Sequence, residues 1–198
     1  MSLRAQKTAK KKEEILKSAV TIIAEKGYHA TTMEDIAAKL LMTKGSVYYY
    51  FKDKQDLLYQ SYKMLLERSI ENMKAIKMEV PATEEKLRRI MAAHIDYLIT
   101  ERFGFEAGMK PEQFFEGEQL DTILELRSLY AEGLDEIILE GIDSGYFDNV
   151  DIKIARNIIL GAMNWVIQWY KSEGEKDQKE IADSISEYLM RILKKPEN

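Results

Sequence analysis

Apolar residues along this chain recur mostly at spacings of three and four. Ile15, Ala19, Ile22 and Ile23 form one stripe, Leu58, Tyr62, Leu65, Leu66 and Met73 a second, and Ile181, Ile185, Leu189 and Ile192 a third. That period belongs to α-helices, and only three prolines interrupt it. The pattern predicts an all-α fold of about nine helices. A first helix over 10–26 ends at Gly27, a residue suited to a helix C-terminus. Thr32 opens a second, with Asp35 three residues on in the capping-box arrangement. After a break at Leu41-Met42-Thr43, Thr43 caps a short third helix to about Tyr50, and Asp53 caps a fourth over 54–76. Pro81 ends the fourth, and Thr83 caps a fifth over 84–101. Residues 103–118 hold three glycines and Pro111 and read as loop with at most one helical turn. Helices over 119–144, 151–172 and 177–194 complete the chain.

Two modest helices joined by a three-residue break fit a helix-turn-helix. In that motif the second helix lies in the DNA major groove and its first residues meet base edges. Those residues here are Lys44, Gly45, Ser46 and Tyr48. Lysine and serine suit base acceptors, and glycine allows close backbone approach. The aromatic run that follows, Tyr48 to Phe51, divides by helical spacing. Val47 and Phe51 share a face and read as core, while Tyr48, Tyr49 and Tyr50 point about 100° apart and cannot all be buried.

Composition sharpens this division. The 198 residues are 45% hydrophobic and 32% charged, which suits one or two globular domains. The net charge of −5 conceals an asymmetry: residues 1–54 carry a balance of +5 and the remainder −10. A basic head on an acidic body points to a polyanion partner for the head. The cluster Arg4, Lys7, Lys10, Lys11 and Lys12 is either an arm for phosphates or a minor groove, or a solvated tail. With no cysteine, disulfides and thiolate chemistry are excluded. The two histidines, His29 and His94, lack metal-ligand spacing and no nucleophile elbow is present, so neither a metal site, a cofactor nor a catalytic residue is expected. No apolar stretch approaches a membrane span, and the expectation is a cytoplasmic protein.

The stretch Thr31 to Leu58 resembles the DNA-binding domain of TetR-family transcriptional regulators. The shared features are Thr-x-x-x-Ile-Ala at Thr32, Lys-Gly-x-x-Tyr-x-Tyr-Phe at Lys44, and Lys-x-x-Leu-Leu at Lys54. The resemblance implies a homodimer on a palindromic operator, with a DNA-binding domain over 1–56 and a ligand-binding and dimerisation domain over 57–198. Carried over by position, Thr32 contacts a phosphate, and Lys44, Gly45 and Tyr48 face the groove with Thr43 and Ser46 beside them. Tyr49 and Tyr50 meet the backbone, and Lys54 anchors a further phosphate. Family members usually carry glycine where this chain has Leu41 in the turn. A left-handed backbone there costs a leucine on the order of 1 kcal/mol.

In the body, Phe103, Phe105, Met109, Phe114 and Phe115 crowd a glycine-containing loop, and Asn164, Trp165 and Trp169 sit on the penultimate helix. With His94 and Leu98 they form a candidate apolar pocket with a few polar groups. The Gly-Ala-Met-Asn-Trp-x-x-x-Trp-Tyr pattern is similar to a subgroup of the family that responds to fatty acyl-CoA compounds, although the arginines of the body are scattered. Gly161, Ala162, Ile181, Ile185, Tyr188, Leu189 and Ile192 are the expected dimer interface. The functional expectation is a ligand-responsive repressor, with a helical adaptor or a small helical enzyme as the alternative.

Overall fold

In a computed structural model, residues 2–102, 104–105 and 110–194 are described. Their regular structure is eight α-helices and one 3-10 turn; the eight helices correspond to the eight ranges read from the sequence, and the expected total of about nine is one too many. The helices are α1 (Leu3–Lys26), α2 (Met33–Lys39), α3 (Lys44–Tyr48), α4 (Lys54–Glu79), α5 (Thr83–Thr100), α6 (Gly117–Asp143), α7 (Ile152–Trp169) and α8 (Gln178–Leu193). The 3-10 turn, Pro111–Gln113, is the single turn expected in the loop.

Local chemistry explains most boundaries. Thr32 and Asp35 close a reciprocal capping box at the start of α2. The Thr43 hydroxyl accepts from the Ser46 amide at the start of α3. Asp53 does the same for the Asp56 amide at α4. Gly27 ends α1 with φ 85°, which an L side chain resists. Two expectations are corrected. α1 begins at Leu3 rather than residue 10, because Ser2 caps it and residues 3–12 contain no helix breaker. Thr83 does not cap α5; its hydroxyl is within 2.6 Å of Glu140 Oε1 and the N-cap is Ala82.

The chain forms two compact units. The first comprises residues 1–65 and 103–123, the second residues 66–102 and 124–198. α4 and α6 therefore each contribute to both. In the first unit, α1, α2 and α3 surround a core of Ile15, Leu16, Ala19, Ile22, Met33, Ile36, Ala37, Val47, Phe51 and Leu57. Val47 and Phe51 are fully buried, as their shared face predicts. In the second unit α5 packs against α7 and α8. Its core is lined by Leu87, Ile90, Met91, Ile95, Leu134, Ile138, Ile159, Met163 and Leu189.

Candidate nucleic-acid interface and effector site

The turn between α2 and α3 is set by backbone hydrogen bonds. Leu41 donates to the Ala38 carbonyl at 3.1 Å and Met42 to the Ala37 carbonyl at 2.9 Å, the paired pattern of a Schellman motif. That motif requires a left-handed residue at Leu41, whose φ is 52°. It is the one non-glycine with positive φ among the described residues, and its side chain is 96% exposed. Met42 tucks back against the core of the first unit and holds the turn.

Beyond the turn, α3 presents Lys44, Gly45, Tyr48 and Tyr49 to solvent, while Val47 anchors the helix from behind. Tyr49 is 76% exposed. Tyr50 is half-buried and meets Tyr49 edge-on, with ring centres 5.1 Å apart. Space at Gly45 is open, with no atom close to where a Cβ would stand. The hydroxyls of Thr43 and Ser46 lie 2.8 Å apart and are engaged with each other at the helix start. Thr32 is exposed, its hydroxyl 2.7 Å from Asp35 Oδ2. Asp35 in turn binds Lys26 at 2.7 Å, and that lysine, with Thr32, holds its carboxyl well below the usual carboxylate range.

Two lysines have partners that sequence position did not announce. Lys44 is ion-paired with Glu34 on α2, and its ammonium stands 5.6 Å from the Tyr48 ring centre. The pair lowers the pKa of Glu34 and raises that of Lys44, chiefly through their hydrogen bond. Lys54 turns inward: its ammonium donates to the carbonyls of Tyr28 and Thr31, the latter at 2.8 Å, and lies 4.3 Å from the Tyr28 ring centre. Its cation thus ties the α1–α2 connection to the start of α4.

The residues expected to line one pocket fall into both units. Phe103 and Met109 lie outside the described residues. Phe105, Phe114 and Phe115 belong to the first unit, where they meet Tyr62, Tyr28 and Tyr59 edge-on. In the second unit, Trp165 and Trp169 are 62% and 45% exposed. They share the outer face of α7 with Gly161 and Ala162, which are exposed as well. Leu98 is buried. His94 is at the centre of a polar chain: Nδ1 is 2.8 Å from the Tyr130 hydroxyl and Nε2 is 3.2 Å from Asn164 Oδ1. Burial pushes His94 down to about 4, against the smaller opposing effect of Asn164, so the imidazole is neutral at pH 7. Burial alone pushes Tyr130 up.

His94 also lines a narrow cavity of about 10 Å³ with Ser69, Asn72, Met73, Ile90, Tyr97 and Tyr130. Ser69, Asn72, Tyr97 and Tyr130 were not expected there. They lie on α4, α5 and α6, and no local motif links positions so distant in sequence. Of the body's arginines, Arg88 and Arg89 pair with Glu84 and Glu85, and Arg156 with Asp135 at 2.7 Å. Arg102 donates to the Tyr170 carbonyl at 3.3 Å. On the face expected to pair with a second copy, Tyr188 and Ile192 of α8 are exposed, whereas Ile181 and Ile185 are half-buried and Leu189 is core. Exposed Ile154 and Ile158 extend the apolar strip along α7. No helix among the described residues is long and apolar enough to cross a membrane.

Comparison with known proteins agrees with this geometry. Residues 15–60 match the model of bacterial regulatory proteins of the tetR family, and residues 81–193 match the tetracyclin repressor-like C-terminal domain. The fatty acid metabolism regulator protein of Bacillus subtilis (strain 168) is 29% identical over 179 residues, covering 89% of this chain and 92% of that protein. PfmR, a TetR-family regulator from Thermus thermophilus, superposes with a TM-score of 0.82 at 29% identity, covering 89% of this chain and 97% of its own. FadR from Bacillus subtilis, solved with stearoyl-CoA, does so with a TM-score of 0.72 at 29% identity, covering 90% and 97%. With a helix-turn-helix at one end and a matching helical body over more than half its length, the chain belongs to the TetR family of transcriptional regulators.

Proposed function

We propose that this protein is a one-component transcriptional repressor that binds a palindromic operator as a homodimer and leaves it when an acyl-CoA-type ligand binds. The observation that carries the DNA half is the outward set on α3: Lys44, Gly45, Tyr48 and Tyr49 exposed on a helix anchored by Val47. In this reading residues 1–56 form the DNA-binding domain and 57–198 the ligand-binding and dimerisation domain. Lys44, Gly45 and Tyr48 meet base edges, while Thr32, Thr43, Ser46, Tyr49 and Tyr50 hold the backbone. Lys54 acts through the connection that it braces.

The dimer face is the apolar strip of Ile154, Ile158, Gly161, Ala162, Trp165 and Trp169 on α7 with Tyr188 and Ile192 on α8. So much exposed apolar surface on two adjacent helices requires a cover, and a second copy supplies it by two-fold symmetry. Trp165 and Trp169 are therefore interface residues rather than pocket residues.

The ligand half rests on likeness to FadR from Bacillus subtilis, solved with stearoyl-CoA, and on the polar chain Tyr130–His94–Asn164 beside a cavity. The cavity, of about 10 Å³, has room for about one water and lies far below the range of about 300–1,000 Å³ usual for ligand sites. An acyl chain must part α4, α5 and α6 to enter, and it stabilises whichever conformation is already parted. That is the differential affinity a release mechanism requires. The test is to select bound fragments from genomic DNA, then add stearoyl-CoA. Release of the selected fragment, with a raised thermal midpoint, is expected; retention of DNA at saturating ligand contradicts the effector assignment.

A further inference from the structure

The start of α1 is not needed to build the helix-turn-helix, yet it is the most basic segment of the chain. Residues 2–12 hold Arg4, Lys7, Lys10, Lys11 and Lys12 and no acidic residue. As a disordered tail these would be solvated cations of no fixed address. The structure makes them helix from Leu3 onward. Spacings of three and four then bring Arg4, Lys7 and Lys11 onto one face, with Thr8 between them. These residues and Leu3 form one wall of an open groove whose other wall is Tyr50. The groove encloses about 810 Å³ of space open to solvent.

The groove has a fixed relation to the DNA-reading helix. Tyr50 lies two residues past the end of α3 and meets Tyr49, the residue that caps that helix, edge-on. On the inner side of α1, the Lys12 ammonium lies 5.6 Å from the Phe51 ring centre and 3.5 Å from Gln60 Oε1. Lys12 therefore pins the basic segment to the residue after Tyr50 and to α4. Of the groove's cations, Lys11 is shared with Glu14 at 3.1 Å, while Arg4 and Lys7 make no ion pair with a described residue. The acids of α1 start only at Glu13, and Glu13 is itself paired with Lys17 at 3.3 Å.

We propose that this groove is a second DNA contact, a helical rail in which Arg4, Lys7 and Lys11, with the edge of Tyr50, hold backbone phosphates flanking the segment read by α3. The inference rests on the DNA-binding reading above and extends it to a surface outside the helix-turn-helix. Continuity with the α3 face through Tyr50 selects the DNA backbone as the occupant. Such contacts add affinity and salt dependence without adding sequence preference, because phosphates are the same on every duplex.

The test measures binding of the full-length protein to a mixed-sequence duplex across a salt series by fluorescence anisotropy. Each phosphate contact contributes about 0.9 to the slope of log affinity against log salt, so Arg4→Gln/Lys7→Gln/Lys11→Gln should flatten the slope by about 2–3 per protomer. The double variant Arg4→Gln/Lys7→Gln alters only exposed side chains and should flatten it by about 1.8. Neutralising Lys153, Lys171 and Lys179 of the second unit removes the same charge and should leave the slope unchanged. If the wild type binds and the double variant keeps its slope, the rail is wrong while the DNA reading stands. An equal fall in the second-unit variant reduces the effect to net charge and also overturns the rail. A wild type that binds no duplex overturns the DNA reading itself.

Discussion

Lys44, the first residue of α3, is ion-paired with Glu34 in the first turn of α2. The residue best placed to enter the groove is thus held by a carboxylate on the neighbouring helix. DNA must compete with Glu34 for the same ammonium. Glu34 also brings negative charge towards phosphates, which disfavours docking wherever base contacts do not compensate.

The variant Glu34→Gln removes that competition and keeps the side chain's size. Binding to mixed-sequence DNA should tighten several-fold, and the salt slope should steepen by about 0.9 per protomer as Lys44 becomes free for a phosphate. Preference for the selected fragment over mixed DNA should narrow. Anisotropy titrations on both duplexes check this; equal affinity of wild type and variant for mixed DNA would refute the competition.

Leu41 sits at φ 52° with an exposed side chain, so nothing gained by packing offsets the strain. Leu41→Gly should raise stability by about 1 kcal/mol, or about 2–4 °C in thermal midpoint for a chain of this size. A lower midpoint would mean that the side chain does more for the turn than the backbone costs it.

Lys54 and Thr32 show how far the sequence could be read. The capping box at Thr32, the caps at Thr43 and Asp53, and the burial of Val47 and Phe51 were legible because each depends on neighbours within four residues. The Lys-x-x-Leu-Leu motif marked Lys54 as important but assigned it to phosphate, whereas its ammonium faces the Tyr28 and Thr31 carbonyls. Those partners are 26 and 23 residues away, beyond any local rule. The same limit applies to Trp165 and Trp169, expected in the pocket and found exposed: helical spacing put them on one face, but did not tell on which side of α7 the core would lie. His94 and Asn164 were both named for the pocket, but Tyr130 was not, and the hydrogen bonds from His94 to Tyr130 and Asn164 span 36 and 70 residues, beyond any local motif.

The clamp made by Lys54 has its own test. Lys54→Met keeps the aliphatic stem and deprives two carbonyls of their donor, which should cost about 1–3 kcal/mol in urea unfolding. A simple phosphate contact would instead leave stability intact and flatten the salt slope. A stability loss below about 0.5 kcal/mol would favour that phosphate role.

His94 should make the second unit sensitive to acid. The unfolded imidazole takes a proton near pH 6.5, the folded one only near pH 4, so protons favour the unfolded chain between these values. Stability contributed above pH 6.5 is lost as pH falls towards 4, by about 3 kcal/mol in all. Tyr130, pushed up by burial, stays protonated throughout, and Asn164 does not titrate. Urea unfolding of wild type and His94→Gln across this range should show the wild type losing more stability, and parallel curves would contradict a buried neutral imidazole.

DNA reading by this protein centres on the exposed face of α3, and Tyr48→Ala removes a principal contact on that face. Tyr48 is 42% exposed, so its removal should leave helix content and dimer state unchanged. Binding to the fragment selected by the wild-type protein should then weaken by more than about tenfold. A folded, dimeric variant that binds that fragment within twofold of wild type would contradict the assignment.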